Sequence, residues 1–272
     1  MTQSRLRFGA FIPPHTPPEE HPALALEEDM DRVVWLDKLG YDEAWVGEHH
    51  SGGWEITSSP ELFIAAVSQR TQNIRLGTGV SSLPYHNIYT LADRIRQLDY
   101  HTKGRTMFGV GPGSLPSDSH MQGLDTAKAR DQMDEAIDPL VRLLNGEKVT
   151  AKSDWYDLRD AQLQFVSYNE RGVEIAVASQ VSPTGATAAG KHGVGLLSIG
   201  ATSTGAFNAL ASNWAIAEEA ARDHGKTMDR SNWRLVGPVH IAETREKARE
   251  NVRFGLERWI DYMTKVAAIP LA

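Results

Sequence analysis

Cysteine is absent from this chain of 272 residues, and dense runs of Lys or Arg are absent too. Without cysteine there are no disulfide bridges, thiolate metal sites or cysteine nucleophiles, which fits a reducing compartment. The formal net charge of −7 leaves no electrostatic footprint for nucleic acid or an anionic membrane. No apolar run approaches the roughly 18 residues of a membrane span, and the N-terminus lacks the apolar core of a signal peptide. We therefore expect a cytoplasmic protein with a neutral or small substrate.

What the chain does contain is an alternation of apolar strand patterns with amphipathic helix patterns. The predicted strands are 6–14, 41–50, 74–84, 105–113, 173–179, 194–201 and 233–242, and the main predicted helices are 24–40, 59–71, 87–104, 125–145, 204–225 and 244–265. Such alternation indicates a parallel sheet covered by helices, either a doubly wound open sheet or a closed barrel. Residues 148–165 instead alternate like a small antiparallel hairpin outside the main sheet.

The ends of the predicted strands favour the barrel. Unusual residues follow the second, third, fourth and fifth strands, and a (β/α)8 barrel carries its site at the carboxyl ends of its strands. No glycine fingerprint follows the first strand, as a dinucleotide-binding fold would require. We thus predict a single α/β TIM-barrel domain over residues 1–272. Seven β-α units are recognisable where about eight are needed. We expect the last unit to lie beyond Ala272, and the alternative is that a partner or a domain swap completes the sheet.

The segment "YDEAWVGEHH" ends a predicted strand with one carboxylate and two imidazoles, Glu48, His49 and His50. Strand alternation points Glu48 and His50 one way and His49 the other. Acid-base chemistry is the favoured interpretation, because a histidine titrates near neutral pH. Two others remain open: a structural role in loop hydrogen bonding, or a metal site completed by Asp118 and His120.

Two neighbouring predicted strands are rich in glycine at their carboxyl ends. "GTGVSSLP" contains Gly79 and Val80, and "GVGPGSLPSD" contains Gly111, Gly113 and Ser114. Glycine within a strand often marks the close approach of a ligand or of another backbone. We expect a slot for a flat cofactor here, and the alternative is a bulge or tight packing.

A third loop, "SQVSPTGATAAGKHG", begins with hydroxyl side chains at Ser179, Ser182 and Thr184. Ser182 is a candidate N-cap before a proline suited to the first helical turn. The free amides of such a helix start would bind an anion, and we predict the phosphate of a mononucleotide. Simple capping is the alternative. The "GKS/T" signature of a P-loop is absent.

Six segments in order, "RFGAFI", "DEAWVGEHH", "IRLGTGVSSLP", "LDYHTKGR", "FGVGPGSLPSD" and "EIAVAS…AAGKHG", resemble the bacterial luciferase-like, flavin-dependent monooxygenase family. Within that family the chain is most similar to limonene monooxygenase-type members. The resemblance implies a TIM barrel that binds reduced FMN, or FAD, supplied by a separate reductase. The flavin would react with O2 to a flavin peroxide and insert one oxygen atom into a small apolar substrate, such as limonene or a related terpene.

The resemblance also implies roles for particular residues. His49 matches the family's active-site histidine, whose imidazole would hydrogen-bond to the flavin peroxide and shuttle protons for it, while Glu48 and His50 orient the loop. A non-prolyl cis peptide bond is expected near Gly79 and Val80. The luciferase pattern has Cys and Arg after the fourth strand, where this chain has Gly111 and Pro112. That departure shifts the expected phosphate contacts to the loop of Ser182.

Two other functions remain open on the same barrel. One is a deazaflavin-dependent oxidoreductase, and the other is a non-catalytic flavin-binding subunit, because barrels readily lose their chemistry while keeping their fold. We also expect a homo-oligomer, paired through the apolar faces of residues 59–71. The family's mobile loop and final strand are expected beyond Ala272.

Overall fold

The computed structural model describes residues 5–12 and 15–267. Its strands are β1 (Gly9–Ile12), β2 (Glu43–Val46), β3 (Arg75–Ser82), β4 (Thr106–Gly111), β5 (Val149–Lys152), β6 (Asp157–Ala161), β7 (Glu174–Ser179), β8 (Gly195–Ile199) and β9 (Trp233–Val236). Within these ranges seven strands form one parallel sheet in the order β1-β2-β3-β4-β7-β8-β9. Each strand pairs with the next strand of the sheet along the chain, as the predicted β-α alternation requires.

The helices that separate these strands are α1 (Pro22–Lys38), α2 (Pro60–Ser68), α3 (Ile88–His101), α4 (Pro116–Met121), α5 (Ala129–Leu144), α6 (Thr184–His192), α7 (Thr204–Asp223) and α8 (Arg245–Lys265). Helix starts follow local capping chemistry: Ser59 Oγ accepts the Leu62 amide, and Asn87 Oδ1 accepts the Thr90 amide. None of the helices in the described ranges combines the length and the apolar character needed to span a bilayer.

Side chains at the amino ends of the strands show that the sheet curls into a nearly closed barrel. Arg234 on β9 lies 2.8 Å from Glu43 on β2, and it also binds Glu174 on β7. In a flat sheet β2 and β9 would be five strand spacings apart, or about 24 Å. Their direct contact therefore requires the two edges to come together, which agrees with the barrel predicted from the strand ends.

The interior of the barrel is filled by side chains. Trp45, Met107, Ala176 and Leu197 form a buried cluster inside the ring of strands. A separate and larger apolar cluster lies between the strands and the outer helices, and it includes Phe108 and Ile137. This two-layer arrangement is expected of a barrel whose strands are buried on both faces.

Several boundaries differ from the predicted ones. Strand β1 covers residues 9–12 of the predicted 6–14, and positions 13–14 lie outside the described residues. The hairpin of β5 and β6 is antiparallel and falls inside the predicted range 148–165. The short helix α4 has no counterpart among the predicted helices. The expected eighth unit would lie beyond Ala272, outside the described residues, and it stays a prediction.

Helix α8 does not pack on the outside of the strands, as the alternation of strands and helices predicts. Its residue Tyr262 contacts His15 and Trp54, in the loops that follow β1 and β2, and Arg258 pairs with Glu19. Helix α8 therefore reaches the carboxyl-end loops of the barrel. Sequence periodicity predicts that a helix forms but does not say which surface it packs on, because packing depends on partners distant in sequence.

Candidate active site

His49 follows β2 at the carboxyl end of the barrel and lies between two carboxylates. Its Nε2 atom is 2.9 Å from Glu55 Oε2, and its Nδ1 atom is 3.1 Å from Asp118 Oδ2. The loop after β2 turns back on itself, so that the His49 amide donates to the Thr57 carbonyl. Gly52 and Gly53 both have positive φ in that turn, which glycine adopts without steric cost. This turn carries Glu55 onto the imidazole.

These contacts keep the His49 ring charged. Burial alone would lower the pKa of His49, but the hydrogen bonds to Asp118 and Glu55 raise it from 6.5 to about 9. Both carboxyls have pKa values lowered in turn; burial opposes that change, and their contacts with His49 contribute most to it. At neutral pH we therefore expect an imidazolium with both N–H groups donated to carboxylates.

A second network surrounds Glu48, whose side chain is only 1% exposed. Its carboxylate accepts the Ser82 amide at 2.6 Å, and it lies 3.1 Å from His50 Nε2 and 2.8 Å from His86 Nε2. Burial would raise the pKa of Glu48, but the hydrogen bonds from His50 and His86 lower it to about 2. Glu48 therefore links the end of β2 to the end of β3.

Strand β2 ends at Val46, so the strand alternation predicted for Glu48, His49 and His50 does not apply to this loop. Within the loop, Glu48 and His50 contact each other while His49 binds other carboxylates. Asp118 joins this site as a hydrogen-bond acceptor for His49 and for the His50 amide. His120, the other residue of the metal alternative, is exposed. In the described part of the chain no three His, Asp or Glu side chains converge as metal ligands.

The Gly79–Val80 peptide bond is cis, at the position that the family resemblance implied. The glycines nearby do not leave the expected slot. A Cβ atom at Gly77 would lie 2.6 Å from the Trp45 ring, and one at Gly79 would lie 2.8 Å from the Phe11 ring. At Gly111 it would lie 2.6 Å from Val80. The prediction of empty space beside these glycines is wrong, because neighbouring side chains fill it; the tight-packing alternative is correct.

An apolar floor lies instead at the carboxyl ends of the strands. We use this name for four side chains that pack on the interior cluster and stay partly exposed: Phe11, Val80, Ile199 and Val236. They belong to four different strands and face the same end of the barrel as His49. The floor could support a flat, largely apolar ring system.

The remaining predicted cofactor residues are spread over two loops. Ser114 is exposed after β4, and Gly113 has a φ of +86° with Tyr85 against it. Ser182 Oγ accepts the Thr184 amide at 3.4 Å and lies 3.0 Å from the Thr184 hydroxyl. The N-cap position of α6 is Pro183, without a side-chain cap, rather than Ser182 as predicted; the Ser182 hydroxyl accepts the amide of the first helical residue instead.

Ser179 ends β7 and lies deeper than the loop hydroxyls. Its Oγ atom is 3.4 Å from the Asn213 amide nitrogen on α7, and the same nitrogen donates to the Gln180 carbonyl at 3.0 Å. Ser179 thus helps to fix the loop that leads into α6.

A surface concavity of about 370 Å³ lies away from these loops, between outer helices, and its lining includes Asp134, Lys191 and His192.

Comparison with known proteins identifies the family. Residues 6–270 match the model of the luciferase-like monooxygenases. The chain belongs to this luciferase-like monooxygenase family. It is 47% identical over 262 residues to limonene 1,2-monooxygenase of Rhodococcus erythropolis, covering 96% of this chain and 67% of that protein. It is 45% identical over 268 residues to 4-hydroxyprotoasukamycin monooxygenase of Streptomyces nodosus subsp. asukaensis, covering 97% of this chain and 71% of that protein.

Solved structures of this luciferase-like family have the same barrel. The oxygenating constituent of 3,6-diketocamphane monooxygenase from Pseudomonas putida, in complex with FMN, superposes with a TM-score of 0.80. It is 27% identical and covers 94% of this chain and 74% of its own. A monooxygenase from Streptomyces bottropensis has a TM-score of 0.87 at 22% identity, covering 97% and 80%. Family membership makes this chain a flavin-dependent monooxygenase by class.

The hydrogen-bond networks around Glu48 and His49 predict how the stability of the protein changes with pH. Glu48 has a lowered pKa in the folded state, so its contribution is present above its ordinary 4.5 and is lost as the pH falls toward 2. His49 has a raised pKa, so its contribution is complete below 6.5 and is lost as the pH rises through about 9. We expect the free energy of unfolding, measured by urea denaturation, to decline on both sides of a plateau near pH 5–6.5. A His49→Gln variant should lose the decline between pH 6.5 and 9; an unchanged alkaline limb would contradict the assignment.

Proposed function

We propose that this chain is the oxygenase component of a two-component system, in which a separate reductase supplies reduced FMN. One atom of O2 enters a small apolar substrate, with limonene or a related terpene as the first candidate. The observation that carries the proposal is the placement of His49, held between Glu55 and Asp118, at the same end of the barrel as the apolar floor. The 47% identity to a limonene 1,2-monooxygenase and the FMN in a structural neighbour support it.

The residues present fit a flavin mononucleotide. The apolar floor of Phe11, Val80, Ile199 and Val236 offers a surface for the ring system. The hydroxyls of Ser182 and Thr184 at the start of α6 would hold the phosphate. When bound, the reduced flavin supplies the electrons and the activated oxygen. FAD remains the alternative, since nothing in these loops selects FMN over FAD.

His49 would act through its charge rather than as a base. Both ring nitrogens already donate to carboxylates, so the ring cannot accept a proton at neutral pH. A fixed cation at a barrel mouth stabilises negative charge that develops nearby during reaction. Its Nε2–H can also donate to the reacting centre if the ring releases Glu55. This role differs from proton shuttling by a neutral imidazole.

Glu48 and His50 would support this site without touching the substrate. Glu48 binds the Ser82 amide on β3, two residues after the cis Gly79–Val80 bond. It thereby fixes the floor residue Val80 relative to the loop that carries His49. His50 lies on the other side of that loop and packs edge-on against Tyr85, with the two ring centroids 5.8 Å apart.

The proposal also includes a second copy of the chain. Leu62 on α2 is 74% exposed and Trp35 on α1 is 62% exposed, so apolar surface is available on the two helices nearest the predicted 59–71 contact. Such apolar exposure is a common mark of an association surface.

An anaerobic titration tests the function directly. Reduced FMN is added to the protein, followed by O2 with and without limonene, and products are measured by mass spectrometry. We expect saturable binding of reduced FMN and a product with one added oxygen atom only when substrate, flavin and O2 are all present. Binding of a reduced deazaflavin in place of FMN would favour the oxidoreductase alternative. FMN binding with no oxygenated product from any terpene would favour a non-catalytic subunit.

A further inference from the structure

Helix α8 is attached to the barrel by few contacts. Of its 21 residues, Tyr262 alone is buried, with a side chain 2% exposed. The Tyr262 ring packs against His15 at 4.6 Å and against Trp54 at 5.8 Å between centroids. Other apolar side chains of the helix, such as Phe254, are largely exposed. The position of α8 therefore depends mainly on what surrounds Tyr262.

The Tyr262 hydroxyl is connected to His49 through the Glu55 carboxylate. It donates to Glu55 Oε1 at 2.6 Å, and the other oxygen of Glu55 lies 2.9 Å from His49 Nε2. His49 Nδ1 then contacts Asp118 on α4. A continuous chain of four side chains, Tyr262–Glu55–His49–Asp118, thus joins α8 to α4 across the barrel mouth. The first two members are 207 residues apart in sequence.

Each oxygen of Glu55 has one close partner, so this carboxylate has little freedom to move. His15 also faces it, with Nε2 at 3.5 Å from Oε1, but that buried nitrogen makes no hydrogen bond. Burial lowers the pKa of His15 despite the nearby Glu55 carboxylate, so His15 is expected to be neutral. The charged and titratable groups that face His49 are Glu55, Asp118, His15, His50 and Tyr262.

We propose that Glu55 and Tyr262 are positioning residues: Tyr262 fixes the Glu55 carboxylate, and that carboxylate holds the His49 ring in its orientation and in its charged form. The proposal rests on the proposed function of His49. Its consequence is that the docking of α8 and the state of His49 are coupled, because they share one carboxylate. Helix α8 is then part of the active site rather than of the outer helix layer.

Histidine NMR on the flavin-free protein tests the first link. The His49 resonance is assigned by its loss in His49→Gln, and its titration is compared in wild type, Glu55→Gln and Glu55→Asp. We expect Glu55→Gln to lower the pKa of His49 from about 9 by at least about one unit, since one of two carboxylate partners is removed. Glu55→Asp keeps the negative charge, so the pKa of His49 should stay close to its wild-type value. Circular dichroism checks that each variant is folded.

Limited trypsin digestion tests the second link. Arg253 and Arg258 offer cleavage sites on α8, and Tyr262→Phe should raise the cleavage rate there by about tenfold, as expected when one hydrogen bond worth about 1.4 kcal/mol is lost. Tyr89→Phe is the matched control, because the Tyr89 hydroxyl donates to the Gln162 carbonyl and not to the site. This control should leave cleavage in α8 unchanged.

The outcomes separate this proposal from the proposed function. In activity assays Glu55→Gln should shift the alkaline loss of turnover to lower pH, whereas a merely structural role would lower turnover equally at all pH values. An unchanged His49 pKa in Glu55→Gln, or unchanged cleavage in Tyr262→Phe, would overturn the proposal. If the NMR and trypsin results hold while no terpene is oxygenated, the network is correct and the proposed function is wrong.

Discussion

Replacement of His49 by glutamine is expected to lower turnover of reduced FMN, O2 and substrate by about 100- to 1,000-fold. Glutamine keeps hydrogen-bonding atoms near Glu55 and Asp118 but removes the positive charge between them. The two carboxylates would then repel each other, and developing negative charge at the reacting centre would lose its stabilising cation. Binding of reduced FMN should change by only a few fold, because the apolar floor and the start of α6 are untouched.

The matched control for this experiment is His120→Gln. His120 lies on α4, two residues after Asp118, but its side chain is exposed and has no contact with His49. This variant should retain wild-type turnover. Steady-state rates are measured well below the melting temperature of each variant, since His49→Gln also loses an ion-paired network. Wild-type turnover in His49→Gln would contradict a catalytic role for His49.

The strand ends could be predicted because they follow local rules. The apolar pattern places "EHH" at the carboxyl end of β2, and the carboxyl ends of parallel strands meet at one end of a barrel. Those rules bring Glu48, His49 and Asp118 to one region. They cannot supply the hydrogen-bond partners, because those depend on how each loop folds back.

Glu55 and Tyr262 escape prediction from the sequence for different reasons. Glu55 lies six residues after His49 in a loop with no periodic pattern, and the only local signal is the pair Gly52 and Gly53, which permits a tight turn. Tyr262 is 207 residues away from Glu55, so no spacing rule connects them. Tyr262 sits in an amphipathic pattern that predicts a helix but not its partner.

The glycines of β3 and β4 illustrate a different limit. Their lack of side chains is unusual within strands, yet the sequence does not say what occupies the space. Trp45 and Phe11 come from neighbouring strands, and their rings need Gly77 and Gly79 to fit inside the barrel. Close packing of large and small residues across facing strands is a general property of barrel interiors. The proposed ring site is therefore on the apolar floor rather than beside these glycines.

Replacement of Arg234 by methionine is expected to lower the free energy of unfolding by roughly 3–5 kcal/mol, because it leaves buried carboxylates without their main counter-charge. Arg234 is 10% exposed; it binds Glu43 through two nitrogens, at 2.8 and 3.0 Å, and it also binds Glu174. Burial would raise the pKa of Glu43, but Arg234 is the main cause that holds it below its ordinary value. Methionine keeps most of the volume but not the charge, and it also removes the guanidinium that lies 5.4 Å from the centroid of the Trp45 ring.

Chemical denaturation at several pH values distinguishes a lost ion pair from lost packing. The deficit of Arg234→Met should shrink in acid, because protonated Glu43 and Glu174 no longer need a cation. A second replacement, Glu43→Gln, should recover part of the lost free energy of unfolding. Removing both members of a buried ion pair costs less than leaving one buried charge unpaired. Arg159→Met is the control: its pair with Asp157 is at the surface, with Arg159 81% exposed, and should cost less than about 1 kcal/mol. Equal losses in the two arginine variants would mean that the ion pairs of Arg234 with Glu43 and Glu174 do not help to hold the barrel together.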